Sequence, residues 1–144
     1  FHQQRLCLDH SSLVLDYLRY ELLGEKQEVF AVLCLDAELR KLHFKKLFYG
    51  SQHSCSVSLN QTLRYAIQQQ ACQIVVAHNH PYGIAQPSNE DIYFTQQLKQ
   101  ACKLVEIHLI DHFIISPDGY FSFTEQQLLN PIKIKQSDLD KAPI

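Results

Sequence analysis

Ile74-Val75-Val76-Ala77-His78-Asn79-His80-Pro81 is the stretch whose reading decides the fold. Ile74, Val75, Val76 and Ala77 have the length and residue types of a buried strand, and Pro81 ends it because proline cannot donate to a β-ladder. Side chains alternate along a strand, so His78 and His80 share one face while Asn79 points away. Two imidazoles are thereby expected side by side at a sheet edge, next to a loop and open to a ligand. Alone, a His-x-His pair reads as two polar strand-end residues as readily as a pair of metal ligands.

Downstream, residues 81–87 hold two prolines and a glycine and read as a loop, after which Ser88 caps a helix running to about residue 104. Asp91 falls in the first turn of that helix, where its carboxylate can turn back toward the strand end. Two imidazoles and a carboxylate are three ligands of the kind zinc accepts, with a fourth position left for water. Ser88-Asn89-Glu90-Asp91 equally fits the S-x-x-[DE] capping pattern, and the two roles are compatible. Residues 107–115 read as a further strand, Pro117-Asp118-Gly119 as a turn and residues 120–123 as the returning partner.

Upstream, Ser11 and Ser12 precede Leu13, Leu15, Tyr17, Leu18 and Leu22, which predicts a serine-capped helix stopping at Gly24. Residues 29–36 and 42–49 read as two strands joined by a hairpin through residues 37–41. Residues 56–59 suggest a brief strand before Asn60 caps a helix reaching about residue 71. The order helix, strands, helix, strand, helix, strands points to an α/β fold with a central sheet and helices packed on its faces.

The bulk numbers are those of one globular domain: 144 residues, 46% apolar, 19% charged. There is no apolar run of the ~20 residues that a membrane-spanning helix needs. Net charge is −2 and the 13 Lys and Arg are scattered apart from Lys41, Lys45 and Lys46, a poor footprint for duplex DNA. Cys7, Cys34, Cys55, Cys72 and Cys102 are odd in number and none are spaced C-x-x-C, which speaks against a disulfide framework or a thiolate zinc site and suits a reducing cytoplasm. Cys34 reads as a small core residue. The sequence begins at Phe1 and has no Met, so it reads as part of a longer chain, and residues 128–144 read as a polar tail to a single domain spanning 1–144.

His78-Asn79-His80, seven residues, Ser88, two residues and Asp91 reproduce the H-x-H-x7-S-x2-D core of the JAMM metalloprotease motif of JAB/MPN domains. Within that superfamily the chain resembles RadC proteins through His-Asn-His-Pro, Pro87-Ser88, Glu90-Asp91, Thr95, and Asp111-His112 leading an apolar strand. The resemblance covers roughly residues 13–123 and implies the JAB/MPN, cytidine-deaminase-like three-layer arrangement, a mixed sheet between helices. It also implies one zinc ion (Zn2+) per chain on His78, His80 and Asp91. A further glutamate before the first strand acts as base in that family, and Glu28 occupies the matching place. The resemblance then implies hydrolysis of a peptide or isopeptide bond in a peptide or protein substrate, with Ser88 donating to the oxyanion. A non-catalytic MPN-like binding module and a DNA-repair factor, as the RadC name suggests, are the other readings.

Two departures bear on substrate contacts: Asn60-Gln61 stands where RadC proteins usually carry Arg-Glu, and Tyr82 replaces a small residue. No helix-hairpin-helix region is read in this sequence. Asp111 falls among Ile107, Leu109, Phe113 and Ile115, where a carboxylate needs a partner. It is expected either to accept the free N–H of a ligand histidine or to bond nearby backbone or His112.

Overall fold

In the computed structural model, which describes residues 5–129, the chain runs α1 (Ser11–Glu21), β1 (Val29–Leu35), β2 (Lys41–Tyr49), α2 (Leu59–Gln68), β3 (Gln73–Asn79), α3 (Asn89–Leu104), β4 (His108–Ser116) and β5 (Gly119–Ser122). The strands form one mixed sheet in the order β2-β1-β3-β4-β5. β1 is antiparallel to both β2 and β3, and β5 is antiparallel to β4. β3 and β4 are parallel, so their connection must cross over, and α3 is that crossover.

The two faces sort by strand alternation. Phe30, Val32 and Cys34 of β1 and Ile74 and Val76 of β3 pack with Tyr65 and Ala66 of α2 and Leu98 and Cys102 of α3. The alternate residues, Val29, Ala31, Leu33, Val75 and Ala77, pack with Val14, Leu18 and Leu22, in and just beyond α1. The sheet is thus covered on both sides, the three-layer α/β arrangement expected. It also explains why β1 is buried along its whole length, while β2, at the sheet edge, exposes every few residues. Cys34 is core, and burial pushes its thiol up to about 12.

Several local expectations shift. α1 carries His10 at its N-cap with no side-chain cap bond, so neither Ser11 nor Ser12 caps it. Residues 56–58 are irregular rather than a strand, and Ser58, not Asn60, caps α2 by accepting from the Gln61 amide at 3.1 Å. α2 also ends before residue 71, because Gln70 takes a left-handed φ of 56° that stops the helix. Of the expected tail 128–144, Leu128 packs on the core and Leu129 is buried, whereas residues 130–144 lie outside the described residues. Among the described residues no helix is long and apolar enough to cross a membrane.

Candidate metal centre

The centre sits at the C-terminal end of β3, in the middle of the sheet rather than at its lateral edge. Antiparallel pairing sets its composition. Phe30 of β1 faces His78 of β3, so two residues further out along both strands Glu28 arrives opposite His80. All four lie on the face turned to α2 and α3, as period-2 alternation requires. Asn79 turns the other way and ties the strand ends together. Its Oδ1 accepts from the Val29 amide at 2.6 Å and its Nδ2 donates to the Gln27 carbonyl at 3.1 Å. The backbone of Glu28 is held on its other side, its amide donating to Ser51 and its carbonyl accepting from Gly50, each at 2.7 Å.

The side chains converge. His78 Nε2 is 2.9 Å from Glu28 Oε1 and 3.1 Å from His80 Nε2, and His80 Nε2 is 3.9 Å from Glu28 Oε1. His80 Nδ1 lies 2.8 Å from the Ile84 carbonyl, which can only accept, so the neutral His80 ring carries its proton on Nδ1 and turns a bare Nε2 inward. A proton on His78 Nε2 therefore sits between two acceptors. Three inward-facing ligand atoms, two ring nitrogens and a carboxylate oxygen, thus meet at one place where a single cation could satisfy all of them.

Donor chemistry and spacing agree with a metal. Glu28, His78 and His80 offer ligand atoms all within 4.8 Å of one another, two imidazole nitrogens and a carboxylate oxygen. Two nitrogens on tetrahedral zinc sit about 3.3 Å apart, close to the 3.1 Å between these two Nε2 atoms. These residues can bind a metal ion.

Asp91 stands to one side of this triangle. Its Oδ1 is 3.9 Å from His78 Nδ1, the outward ring nitrogen, and its Oδ2 accepts from the Ser88 amide at 2.9 Å. Ser88 Oγ accepts in turn from the Asp91 amide at 3.0 Å, a reciprocal capping box at the start of α3. The cap leaves the Ser88 hydroxyl hydrogen free to donate elsewhere. Glu28, His78, His80, Ser88 and Asp91 together line an open cavity of about 610 Å³. The structure thus brings all five to one cavity but places Glu28, not Asp91, among the inward histidine nitrogens.

Asp111 goes elsewhere. β4 takes an irregular step opposite Ile74 and Val75, so Leu109 joins the α2/α3 face while Asp111 lines a cavity with Val14 and Phe113 on the α1 face. Its Oδ1 accepts from the amides of His112 and Thr124, and its Oδ2 accepts from the Ser122 hydroxyl. The expected bond to a ligand histidine is not formed; the backbone alternative is. Burial raises its carboxyl above the usual range despite these bonds.

Two contributors were not read from the sequence. Cys55 lines the cavity wall, where burial, then Glu28 and Asp91, raise its thiol and keep it protonated. His112 is buried beneath the centre, its Nδ1 2.7 Å from Thr95 Oγ1, and burial, with His78 and His80 nearby, keeps its ring neutral. The Asp111-His112 pair had drawn attention to the acid rather than to the ring beside it.

The RadC-like JAB domain model matches residues 8–128. A UPF0758 protein of Acinetobacter baumannii is 75% identical over 134 residues, 93% of this chain and 57% of that relative. One of Acinetobacter baylyi is 67% identical over 141 residues, 98% of this chain and 52% of the relative, and one of a Psychrobacter species is 48% identical over 118 residues, 82% and 52%. The chain spans about half the length of these relatives. With a family match that takes in both strands of the centre, its loop and the capped helix behind it, the chain belongs to the RadC-like JAB domain family.

Proposed function

We propose that the chain is a zinc-dependent hydrolase of peptide or isopeptide bonds, with His78, His80 and Asp91 holding one zinc, Glu28 as base and Ser88 as oxyanion donor. The observation that carries this reading is the convergence of the Glu28, His78 and His80 ligand atoms, all within 4.8 Å of one another, beside an open cavity. Zinc bound there would supply Lewis acidity and a water whose pKa is brought down to about 7. Glu28, buried and facing both histidines, is placed to take a proton from such a water and carry it to the leaving amine. The Ser88 hydroxyl hydrogen, which the cap does not use, donates to the developing oxyanion, a contribution of about 3 kcal/mol when aligned.

Motif spacing supports Asp91 as the third ligand, while proximity brings Glu28 closer to the histidines. The two assignments part in one experiment: metal analysis and a peptide-library cleavage screen on wild type, Glu28→Gln, His78→Ala and Asp91→Ala. One zinc per wild-type chain is expected, lost in His78→Ala and Asp91→Ala. Glu28→Gln should keep zinc and lose hydrolysis. Zinc lost from Glu28→Gln but kept in Asp91→Ala would exchange the two carboxylates, and full retention in every variant would remove the centre altogether.

A further inference from the structure

Thr95 and His112 join the capped helix to the sheet, and the chemistry proposed above uses neither. Both are buried. The Thr95 hydroxyl has one hydrogen and stands 2.6 Å from the Asp91 carbonyl, which can only accept. That hydrogen is taken there, so the 2.7 Å contact between Thr95 Oγ1 and His112 Nδ1 is donated by the ring. Two hydrogen bonds in series thus run from β4 through Thr95 to the backbone of Asp91. His112 is the register partner of Val76 in β3, two residues before His78. The series therefore links the strand beside His78 to the helical turn that carries Asp91 and is capped by Ser88.

What surrounds the His112 ring suits a hydrocarbon better than an imidazole. One face stacks on Phe123 at 4.6 Å and 6°, and Phe30 meets it edge-on at 6.1 Å. Its Nε2 is sealed from solvent and has no hydrogen-bond partner among the described residues. A sealed, unpaired nitrogen costs stability, and a phenylalanine of nearly the same shape would not carry that cost. What a phenylalanine could not supply is the Nδ1 hydrogen for Thr95. First turns of helices fray unless they are held, and from the first turn of α3 both Ser88 and Asp91 reach the cavity. The Ser88–Asp91 box joins that turn to itself, whereas the Thr95–His112 bond joins it to the sheet.

We propose that His112 and Thr95 are positioning residues for the centre: the ring, through Thr95, fixes the backbone of Asp91 and with it the place of a carboxylate that stands 3.9 Å from His78 Nδ1. Both act through Asp91 rather than on the reacting atoms. The assignment rests on the hydrolase reading in one respect, that Asp91 and Ser88 serve the metal and the oxyanion. The tie itself belongs to the metal-free protein.

The test compares His112→Phe, Thr95→Val and the conservative Thr95→Ser with wild type, first in chelator and then with zinc. In chelator, the imidazole 15N spectrum of wild type should show the His112 proton on Nδ1. His112→Phe should melt within about 3 °C of wild type or above it. Its Asp91 and Ile92 amides, which bond to Ser88, should nevertheless exchange at least about tenfold faster, with the Leu98 and Cys102 amides unchanged. Zinc affinity, read by chelator competition, should fall about 10–100-fold in His112→Phe and Thr95→Val and stay within about threefold in Thr95→Ser. A role in core packing alone would move the melting temperature and leave first-turn exchange and zinc affinity where they were. A wild-type proton on Nε2 overturns the proposal, as does first-turn exchange unchanged in His112→Phe or zinc affinity unchanged in both variants. Should His112→Phe fail to fold, Thr95→Val against Thr95→Ser carries the same comparison of exchange and affinity. A wild type that binds no zinc would sink the hydrolase reading, while proton position and first-turn exchange still decide whether the tie holds Asp91.

Discussion

Replacing Asn79 with alanine tests the claim that the back of β3 holds the front of the centre in place. Asn79 is buried and bonds both the Val29 amide and the Gln27 carbonyl. Val29 is fully buried, so its amide gains no water when the partner goes, and such an orphaned donor costs about 1–3 kcal/mol. Gln27 is partly exposed and its carbonyl can be rehydrated, so it adds less. A total of about 2–3 kcal/mol follows, which for a chain of this size lowers Tm by about 5–10 °C. The assay is thermal unfolding by circular dichroism in chelator, so that metal binding does not mask the loss. Because Glu28 lies between Gln27 and Val29, the same change should lower kcat while the untouched histidines keep their zinc. A Tm within about 1 °C of wild type, or zinc lost with kcat per bound metal preserved, would refute the reasoning.

Further outcomes follow from other contacts. A Cβ on Gly50 would stand 1.9 Å from the Ser54 carbonyl oxygen and 2.6 Å from Cys55 Cα, both backbone, so Gly50→Ala should cost about 1–3 kcal/mol and raise KM by moving the wall that carries Cys55. Denaturant titration and steady-state kinetics read the two effects, and a neutral result would show that the wall is free to shift. Ser88→Ala should lose about 1 kcal/mol of capping and about 100-fold or more in kcat, with KM little changed. A loss confined to stability would leave Ser88 a cap only. Asp111→Asn should keep its zinc, because its carboxylate faces away from the histidines. Its pH dependence has a definite sign. Folding raises the Asp111 pKa, so the stabilisation tied to its proton is full below the unfolded value near 3.8 and fades as pH rises through the folded value. Wild type should therefore gain stability relative to Asp111→Asn as pH falls from 7 toward 4, and urea unfolding showing the reverse slope would contradict the buried placement.

What the sequence made legible follows from what is local. The run ending at Ala77 and the alternation beyond it sufficed to orient His78, Asn79 and His80, and Ser88-x-x-Asp91 sufficed for the cap of α3. Non-local pairing was harder to read. Nothing near Glu28 says that β1 lies antiparallel beside β3, so its choice as the family's glutamate came from resemblance alone, and the strand pairing that sets it opposite His80 supplies the physical reason. Asp111 was misplaced because the alternation assumed for residues 107–115 breaks at one irregular step that no glycine or proline marks. Ser58 and Asn60 are both good cap residues, and spacing alone does not choose between them; in the structure Ser58 accepts from the Gln61 amide and Asn60 lies inside α2. His112 went unread because the ring it stacks on, Phe123, reaches it only after β5 has turned back.

One strand end therefore carries two jobs on alternate residues, and mutational effects should divide along the same alternation. His78 and His80 face the cavity, where their Nε2 atoms converge with the Glu28 carboxylate, while Asn79 between them holds Val29 and Gln27 on the opposite side. Across the gap, Glu28 and Phe30 share the histidine face, and Val29 belongs to the α1 core. A shift of pairing by one residue would exchange the sets, burying Asn79 among the phenylalanines and turning both imidazoles into the aliphatic layer under α1. The Asn79 bonds, joining neighbouring strand ends at the last residue of β3, oppose that slip at the place where register decides whether the centre exists.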